Sequence, residues 1–546
     1  MCGLVGVFGF LEKDKDKKVS EVKKALGLLT HRGPDDSDVV TVQEGGKLSL
    51  LGHTRLSIVD VKTGHQPFSE RGLSWIHNGE IYNHEVLRKE FGLEKHCSFS
   101  ASDSAVIGPL FEKLGTKAFD LLDGVFSIVI IDKDKVIAAR DPLGVKPLFY
   151  GTDHSGAMWF SSEIKGLEES CIEIKTFPPG HYFTHDEGFV RYYKPDYETK
   201  TPALKEEEVV FSKLRESLVA ATQKRLMADV PLGALLSGGL DSSLIAAIAA
   251  RELKKYGKKL KTFSVGLDPN TDDLKKAREV SEFIGSDHHE IIFTIEQGLS
   301  ALSQMVRTLE TFDITTIRAS TPMFLMSQYI KEQGIKVVLS GEGADEIFGG
   351  YLYFSHAPSA EEFHSECLRR ISLLHTADLL RADRSTMGAS LEARVPFLDK
   401  EFLEVSMAVD PELKVIGSGR PEKWVLRQAF AQEHLIPESI LWRQKEQFSD
   451  GVGYSWVDEL KALAERVVRQ DRFDKRQELY PYHTPATKEA FMYRELYSQS
   501  FQHPDSEKQV QRWIPRWQDY DCDPSGRANV GHKATYVKKE VSMAGK

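Results

Sequence analysis

PLGALLSGGLDSS, residues 231–243, reads as a buried strand, a glycine-rich turn and the start of a helix. Its surroundings repeat the pattern. An amphipathic helix over about 206–227 leads in, and a helix from Asp241 leads out. The strand KTFSVGL (261–267), a helix from Asp272, and the strands HEIIF (289–293) and IKVVLS (335–340) follow. Strand alternating with helix at this spacing predicts a parallel sheet with crossover helices. In such sheets ligands bind beyond the carboxyl ends of the strands. Three loops sit there: SGGLDSS, GLDPN (266–270) and SGEGADE (340–346). The C-terminal third reads as helical.

In SGGLDSS, Gly238 and Gly239 allow a tight turn and close approach to an anion. Amides at a helix N-terminus, with the hydroxyls of Ser237, Ser242 and Ser243, suit phosphate. Asp241 offers an oxygen to Mg²⁺. No GxxxxGK[ST] and no GxGxxG occurs, so neither a Walker A loop nor a dinucleotide fingerprint is present. The run resembles the pyrophosphate loop of adenylating ATPases, which cleave ATP to AMP and pyrophosphate. SGEGADEIFGGY (340–351) gathers Glu342, Asp345 and Glu346, a candidate Mg²⁺ site or general base. Lys445 and Arg394 are candidate cations for a polyphosphate or carboxylate.

The first ~190 residues have another rhythm. VGVFGF, LSLLGHTRLSIVD, LSWIHNG, FSIVIID and KVIAAR read as strands, and VSEVKKALGLL and NHEVLRKEFG as helices. Short connections predict antiparallel sheets layered with helices, an α+β domain preceding the α/β one. Cys2 directly follows the initiator Met. Once Met1 is removed, a thiol and its own amine base share one residue. Asn78 and the Gly79 N–H in NGEIYN are oxyanion donors at a strand end. Arg55 suits the α-carboxylate of an amino-acid substrate and Asp103 its α-ammonium. Arg55 also reads as a structural ion pair, and Asp103 as a helix N-cap. His31 and His53 read as structural.

Polar KPDYETKTPALKEEE (194–208) marks a linker. The expected division is residues 2–193, the linker 194–208, a second domain over 209–520, and a polar tail over 521–546. A net charge of −10, from 71 basic and 81 acidic residues, disfavours nucleic acid as the main partner. Five scattered cysteines without CxxC suggest reduced thiols rather than zinc or disulfides. No apolar run is long enough for a membrane span, and no secretory signal is evident, so a cytoplasmic protein is expected.

Cys2-Gly3, HRGPD (31–35), LSIVD, NGEIYN and RDPLGVKPLFY (140–150) together resemble the class II glutamine amidotransferase domain, an N-terminal-nucleophile fold. SGGLDSS, TTIRASTPM (315–323), SGEGADE, EARVPFLD (392–399) and RQKEQFSDGVGYSW (443–456) resemble the synthetase domain of the glutamine-hydrolysing asparagine synthetases. The resemblance spans about the first 500 residues. It implies a γ-glutamyl thioester on Cys2, with Asn78 and Gly79 as oxyanion hole and Arg55, Asn78, Glu80 and Asp103 holding glutamine. It implies an ATP site from Leu236, Ser237, Gly238, Gly239, Asp241, Ser242, Ser243, Val265, Ser340, Gly341 and Lys445. Thr316 and Arg318 then hold aspartate, Asp241 and Asp345 hold Mg²⁺, and Glu342 acts as base on ammonia. The implied product is asparagine, made through β-aspartyl-AMP, and a homodimer is compatible with the resemblance. RSTMGASLEARVPFLD departs from the family pattern at Met387–Ser390. The alternatives are a related amidotransferase acting on another carboxylate, or a silent homologue that senses glutamine or nucleotide.

Overall fold

The computed structural model describes residues 2–44, 46–417, 419–445, 451–453 and 455–517. The polar segment 521–546, Cys522 and residues 446–450 and 454 of the RQKEQFSDGVGYSW motif lie outside the described residues.

The N-terminal half holds two six-stranded antiparallel sheets. The strands are β1 (Cys2–Phe10), β2 (Asp36–Glu44), β3 (Lys47–Arg55), β4 (Phe68–Glu70), β5 (Leu73–Ile81), β6 (Gly124–Asp132), β7 (Lys135–Arg140), β8 (Phe149–Asp153), β9 (Met158–Ser161), β10 (Cys171–Thr176), β11 (His181–Thr184) and β12 (Gly188–Arg191). One sheet runs β10-β8-β9-β1-β3-β2 and the other β12-β11-β7-β6-β5-β4. Successive side chains of a strand point to opposite faces. Ile76, Val129 and Ile131 therefore join Leu4, Leu51 and Phe160 between the sheets, while Trp75, Phe126 and Ile128 pack on the helix Ile107–Leu114. The helix Lys15–Leu28 covers the other sheet through Val22, Ala25 and Leu26. Both faces of β6 are thus covered, which is why FSIVII, Ser127 apart, is apolar on both faces instead of alternating. The result is the layered α+β arrangement expected of an N-terminal-nucleophile domain.

β3 stops at Arg55, so the LSIVD end of the expected strand is loop. β2, β4 and β8 to β12, which the sequence reading left unassigned, complete the sheets.

The segment expected as a linker is held down. Tyr197 is buried, and Leu204 pairs with Val409. The second half is built on β13 (Leu232–Leu235), β14 (Lys261–Gly266), β15 (Asp287–Ile292), β16 (Val337–Leu339) and β17 (Glu392–Arg394), all parallel, in the order β15-β14-β13-β16-β17. From β13 the chain runs outward to β14 and β15, then returns to the other side of β13 for β16 and β17. That reversal opens a crevice at the carboxyl end of β13, where the SGGLDSS loop emerges. Helices surround the sheet, and among the described residues none is long and apolar enough to cross a membrane.

Candidate active sites

Cys2 opens β1 directly opposite Arg55 of β3 and is buried. Its nitrogen donates to Asn78 Oδ1 at 2.9 Å, tying β1 to β5 across the two sheets. Burial pushes the Cys2 thiol up, while a Leu56 backbone hydrogen bond and Arg55 pull it partway back. Gly79 follows with φ +149°, and a Cβ there would lie 1.9 Å from the Val125 carbonyl of β6. Only glycine fits. Gly79→Ala is expected to force β5 off β6 and cut glutamine hydrolysis by about 10²-fold or more. Glutaminase assays beside a thermal melt check this.

Arg55 donates to three successive carbonyls, Val59 and Val61 at 3.3 Å and Asp60 at 2.6 Å. Asp60 pins that loop, accepting from Ser100 Oγ at 2.7 Å and the Ala101 amide at 2.8 Å. The ion-pair reading of Arg55 is therefore replaced by carbonyl bonding. Asp103 accepts from the Ile81 amide at 2.8 Å. The N-cap reading moves by one residue, because Ser102 caps the short helix and Asp103 is its first turn. Glu80 turns to the domain boundary, 3.2 Å from Arg394, with Oε2 buried and unbonded. Burial, then the neighbouring Glu392, raise its pKa well above the ordinary value. His53 is fully buried on the His77 carbonyl at 3.1 Å, and burial pushes it down to about 3, so it is neutral. His31 lies against Glu163 at 3.1 Å.

In the second half a cavity of ≈ 190 Å³ opens at the ends of β13, β14 and β16. Leu236, Ser237, Gly239, Asp241, Ser242, Val265, Ser340, Gly341, Glu342 and Lys445 line it, with Thr316, Arg318 and Asp345. Two expected residues do not. Gly238, at φ +70°, backs onto the helix Asp272–Ile284, where a Cβ would meet Ala277 N at 2.6 Å. Ser243 is fully buried in the helix Leu240–Lys254. These two shape the loop from behind. The Ser237 amide donates to Ser242 Oγ at 3.1 Å, so the turn is closed by its own hydroxyls.

Lys423 is the residue sequence reasoning missed. Its ammonium pairs with Asp241 and, at 2.6 Å, with Asp345. Lys445 meets Asp345 from the other side at 2.6 Å. Burial alone would raise Asp345, yet Lys423 and Lys445 hold it well below the ordinary value. Asp241 Oδ1 is buried without a hydrogen-bond partner, so an oxygen is left for a cation. Among the described residues no group of three acidic, His or Cys side chains is arranged for a metal. The pair suits Mg²⁺ that brings phosphate and water oxygens with it.

Glu342 accepts from Arg381 at 2.6 Å, and burial pushes its pKa up against that pairing. Burial, then Asp378 and Asp345, push Glu346 up to about 8. The three carboxylates of SGEGADE therefore have separate characters: Asp345 is held ionised by two lysines, Glu346 is mostly protonated near neutrality, and Glu342 is raised by burial but paired with Arg381. Thr316 donates its hydroxyl to Asp313 at 2.8 Å, and Arg318 is bound by Glu489 at 2.8 and 2.5 Å. Arg394 is corrected. It is absent from the cavity and fully buried on Glu392 and the carbonyls of Arg225 and Met227. β17 carries it to the domain boundary, not to the nucleotide crevice.

A thiol at the head of a layered antiparallel domain, joined to an anion-binding crevice at a parallel-sheet switch point, defines a two-domain glutamine-dependent amidotransferase. The glutamine amidotransferase domain family matches residues 1–194, and the asparagine synthase family matches 213–363 and 355–520. The chain belongs to the glutamine-hydrolysing asparagine synthetase family. It is 48% identical to a probable asparagine synthetase [glutamine-hydrolyzing] of Schizosaccharomyces pombe, over 98% of this chain and 100% of the relative. It is 45% identical to the one of Dictyostelium discoideum, with the same coverage. Identity to asparagine synthetase [glutamine-hydrolyzing] 2 of Arabidopsis thaliana is 44%, over 100% and 98%.

Proposed function

We infer that this chain makes L-asparagine from L-aspartate, using ammonia released from L-glutamine and cleaving ATP to AMP and pyrophosphate. The observation that carries the reading is the pairing of Cys2, bonded to Asn78 at the head of β1, with the carboxylate–lysine crevice at the end of β13.

Removal of Met1 frees the Cys2 amine to take the thiol proton. The thiolate attacks the glutamine amide carbon, the C–N bond breaks, and a γ-glutamyl thioester and ammonia form. Water then releases glutamate. Asn78 Nδ2 and the Gly79 N–H stabilise the oxyanion. Arg55 takes the α-carboxylate, and Asp103, with Asn78 and Glu80, the rest of the amino acid.

In the crevice the β-carboxylate of aspartate attacks the α-phosphorus of ATP. Pyrophosphate leaves and β-aspartyl-AMP forms. Leu236 and Val265 bound the nucleotide, while Ser237, Gly239, Ser242, Ser340, Gly341 and Lys445 surround the phosphates. Thr316 and Arg318 face aspartate. Asp241 and Asp345 suit Mg²⁺, which would neutralise the departing pyrophosphate. Ammonia then attacks the acyl carbon, Glu342 accepts its proton, and AMP leaves. Free ammonia is mostly protonated in water, so generating it inside the protein keeps it nucleophilic. Free thiols at Cys2, Cys97, Cys171 and Cys367 support a reducing, cytoplasmic setting. The division at residues 193, 208 and 520 belongs to the same reading.

Amide-¹⁵N glutamine with aspartate, MgATP and excess unlabelled ammonium tests the whole scheme. Labelled asparagine beyond the mixing ratio, with AMP and pyrophosphate, is the expected result. Ammonia released without asparagine would sink the acceptor assignment.

A further inference from the structure

The helix Asp378–Met387 bonds to a residue of the nucleotide crevice and to an arginine that holds Cys2. Near its start, Arg381 donates to Glu342 at 2.6 Å. Two residues on, Asp383 reaches across the domain boundary and accepts from Arg32 Nη1 at 2.8 Å. Arg384 turns to Glu310 at 2.6 Å.

Arg32 is fully buried, and it does two things. Its Nη1 is shared between Asp383 and Glu163, each at 2.8 Å. Its Nε donates to the carbonyl oxygen of Cys2 at 3.0 Å. The backbone of the thiol-bearing residue therefore hangs on a guanidinium gripped by one carboxylate from each domain.

The two carboxylates are not interchangeable. Glu163 is also claimed by Lys165, by His31 at 3.1 Å and by Arg384 at 3.7 Å. Asp383 has only Lys146 besides Arg32, at 3.9 Å, among the ion pairs of the described residues. Arg32, Glu163, Asp383, Arg384 and Glu310 all have side chains at most 4% exposed. A buried cation that loses one carboxylate moves toward another, since water is not there to replace it. For Arg32 the remaining partner is Glu163, so the Nε bond to Cys2 would shift with it.

We propose that Asp383, a residue of the synthetase domain, is a positioning residue of the glutaminase centre: it fixes Arg32 and, through Arg32, the carbonyl of Cys2. This rests on the reading of Cys2 as nucleophile. Asp383 touches neither glutamine nor the thiol, so its effect is on the placement of the attacking sulfur. Misplacing a reacting atom by about 1 Å costs on the order of 10²-fold in rate. Because the same helix holds Glu342 through Arg381, docking of one helix sets the nucleophile of one reaction and the base of the other.

The test is Asp383→Asn and Asp383→Glu in the full chain, with Cys2→Ala beside them. Glutaminase kcat and KM, ammonia-dependent asparagine synthesis, and the rate at which iodoacetamide alkylates Cys2 are measured for each. Asn keeps the shape and one acceptor but loses the charge. The expected result for Asp383→Asn is a glutaminase kcat lower by about 10–100-fold. Glutamine KM and ammonia-dependent synthesis should stay within about threefold, and Cys2 alkylation should change severalfold. Glu, which keeps the charge, should recover part of the loss.

An unchanged glutaminase rate and unchanged alkylation would overturn the proposal. So would a parallel fall of both activities that Glu does not relieve, since the ion pair would then merely hold the domains together. Glutamine hydrolysis surviving in Cys2→Ala would remove the nucleophile reading itself, a failure distinguishable from either of the others.

Discussion

Cys2→Ala is expected to lose glutamine hydrolysis and glutamine-dependent asparagine synthesis by at least about 10³-fold, while ammonia-dependent synthesis stays within about twofold. The size follows from the lack of a substitute among the described residues. Cys97, Cys171 and Cys367 are buried in packed cores, and burial pushes each of their thiols up. His53 is neutral and bonded to a backbone carbonyl, and nothing near Asn78 replaces a thiolate. The selectivity follows from the architecture. Cys2 sits in the first sheet, the nucleotide crevice in a separate sheet, and deleting one sulfur at the head of a strand leaves the backbone bonds of β1 intact. Steady-state assays with each nitrogen donor read the result directly. A variant that loses both activities while remaining folded would show that one site does both jobs.

Glu342→Gln is expected to do the reverse. Asparagine formation from either nitrogen donor should fall by about 10²–10⁴-fold, the usual range for removing a general base. Glutamine hydrolysis should persist, releasing ammonia that goes unused. Gln keeps the size of the side chain and an oxygen for Arg381, so the loss reports on proton acceptance rather than on collapse of the crevice. Aspartate-dependent exchange of labelled pyrophosphate into ATP should survive, because the base is needed only after the adenylate has formed. Loss of that exchange would move Glu342 to the adenylation step. Burial raises the Glu342 pKa, so the base form is lost as pH falls through a value above that of an ordinary carboxylate. Ammonia-dependent rates, expressed per free ammonia, should show their acid limb there.

The loops of the candidate sites were legible because each is a local signal. SGGLDSS and SGEGADE follow apolar β-rich runs, and both emerge at strand ends of one parallel sheet. Cys2, NGEIYN and Arg55 were likewise readable in place, since β1, β3 and β5 are long and strongly patterned. Weaker elements escaped. β17 is three residues with two charges, and it becomes a strand only because β16 offers it an edge. β8 to β12 are each six residues or fewer, too short to show a clear period, and β9 and β11 take one partner each, β1 and β7, from well back in the chain. Arg394, an isolated cation beside conspicuous motifs, invited a phosphate role that burial on Glu392 and two carbonyls removes.

The long patterned strands β1, β3, β5, β6 and β7, the strand–turn–helix around SGGLDSS, the glycine at position 79 and the residue types of both candidate sites were legible in the sequence alone. These depend on periodicity, on backbone freedom and on side-chain type, all properties of a short stretch. Which charges neutralise which was decided only by the tertiary structure. Asp345 is ionised because Lys423 and Lys445, the latter 100 residues further along the chain, arrive at 2.6 Å, and Arg32 meets Asp383 351 residues away. Coulomb energy depends on distance and on the exclusion of water, and neither exists until the chain has folded.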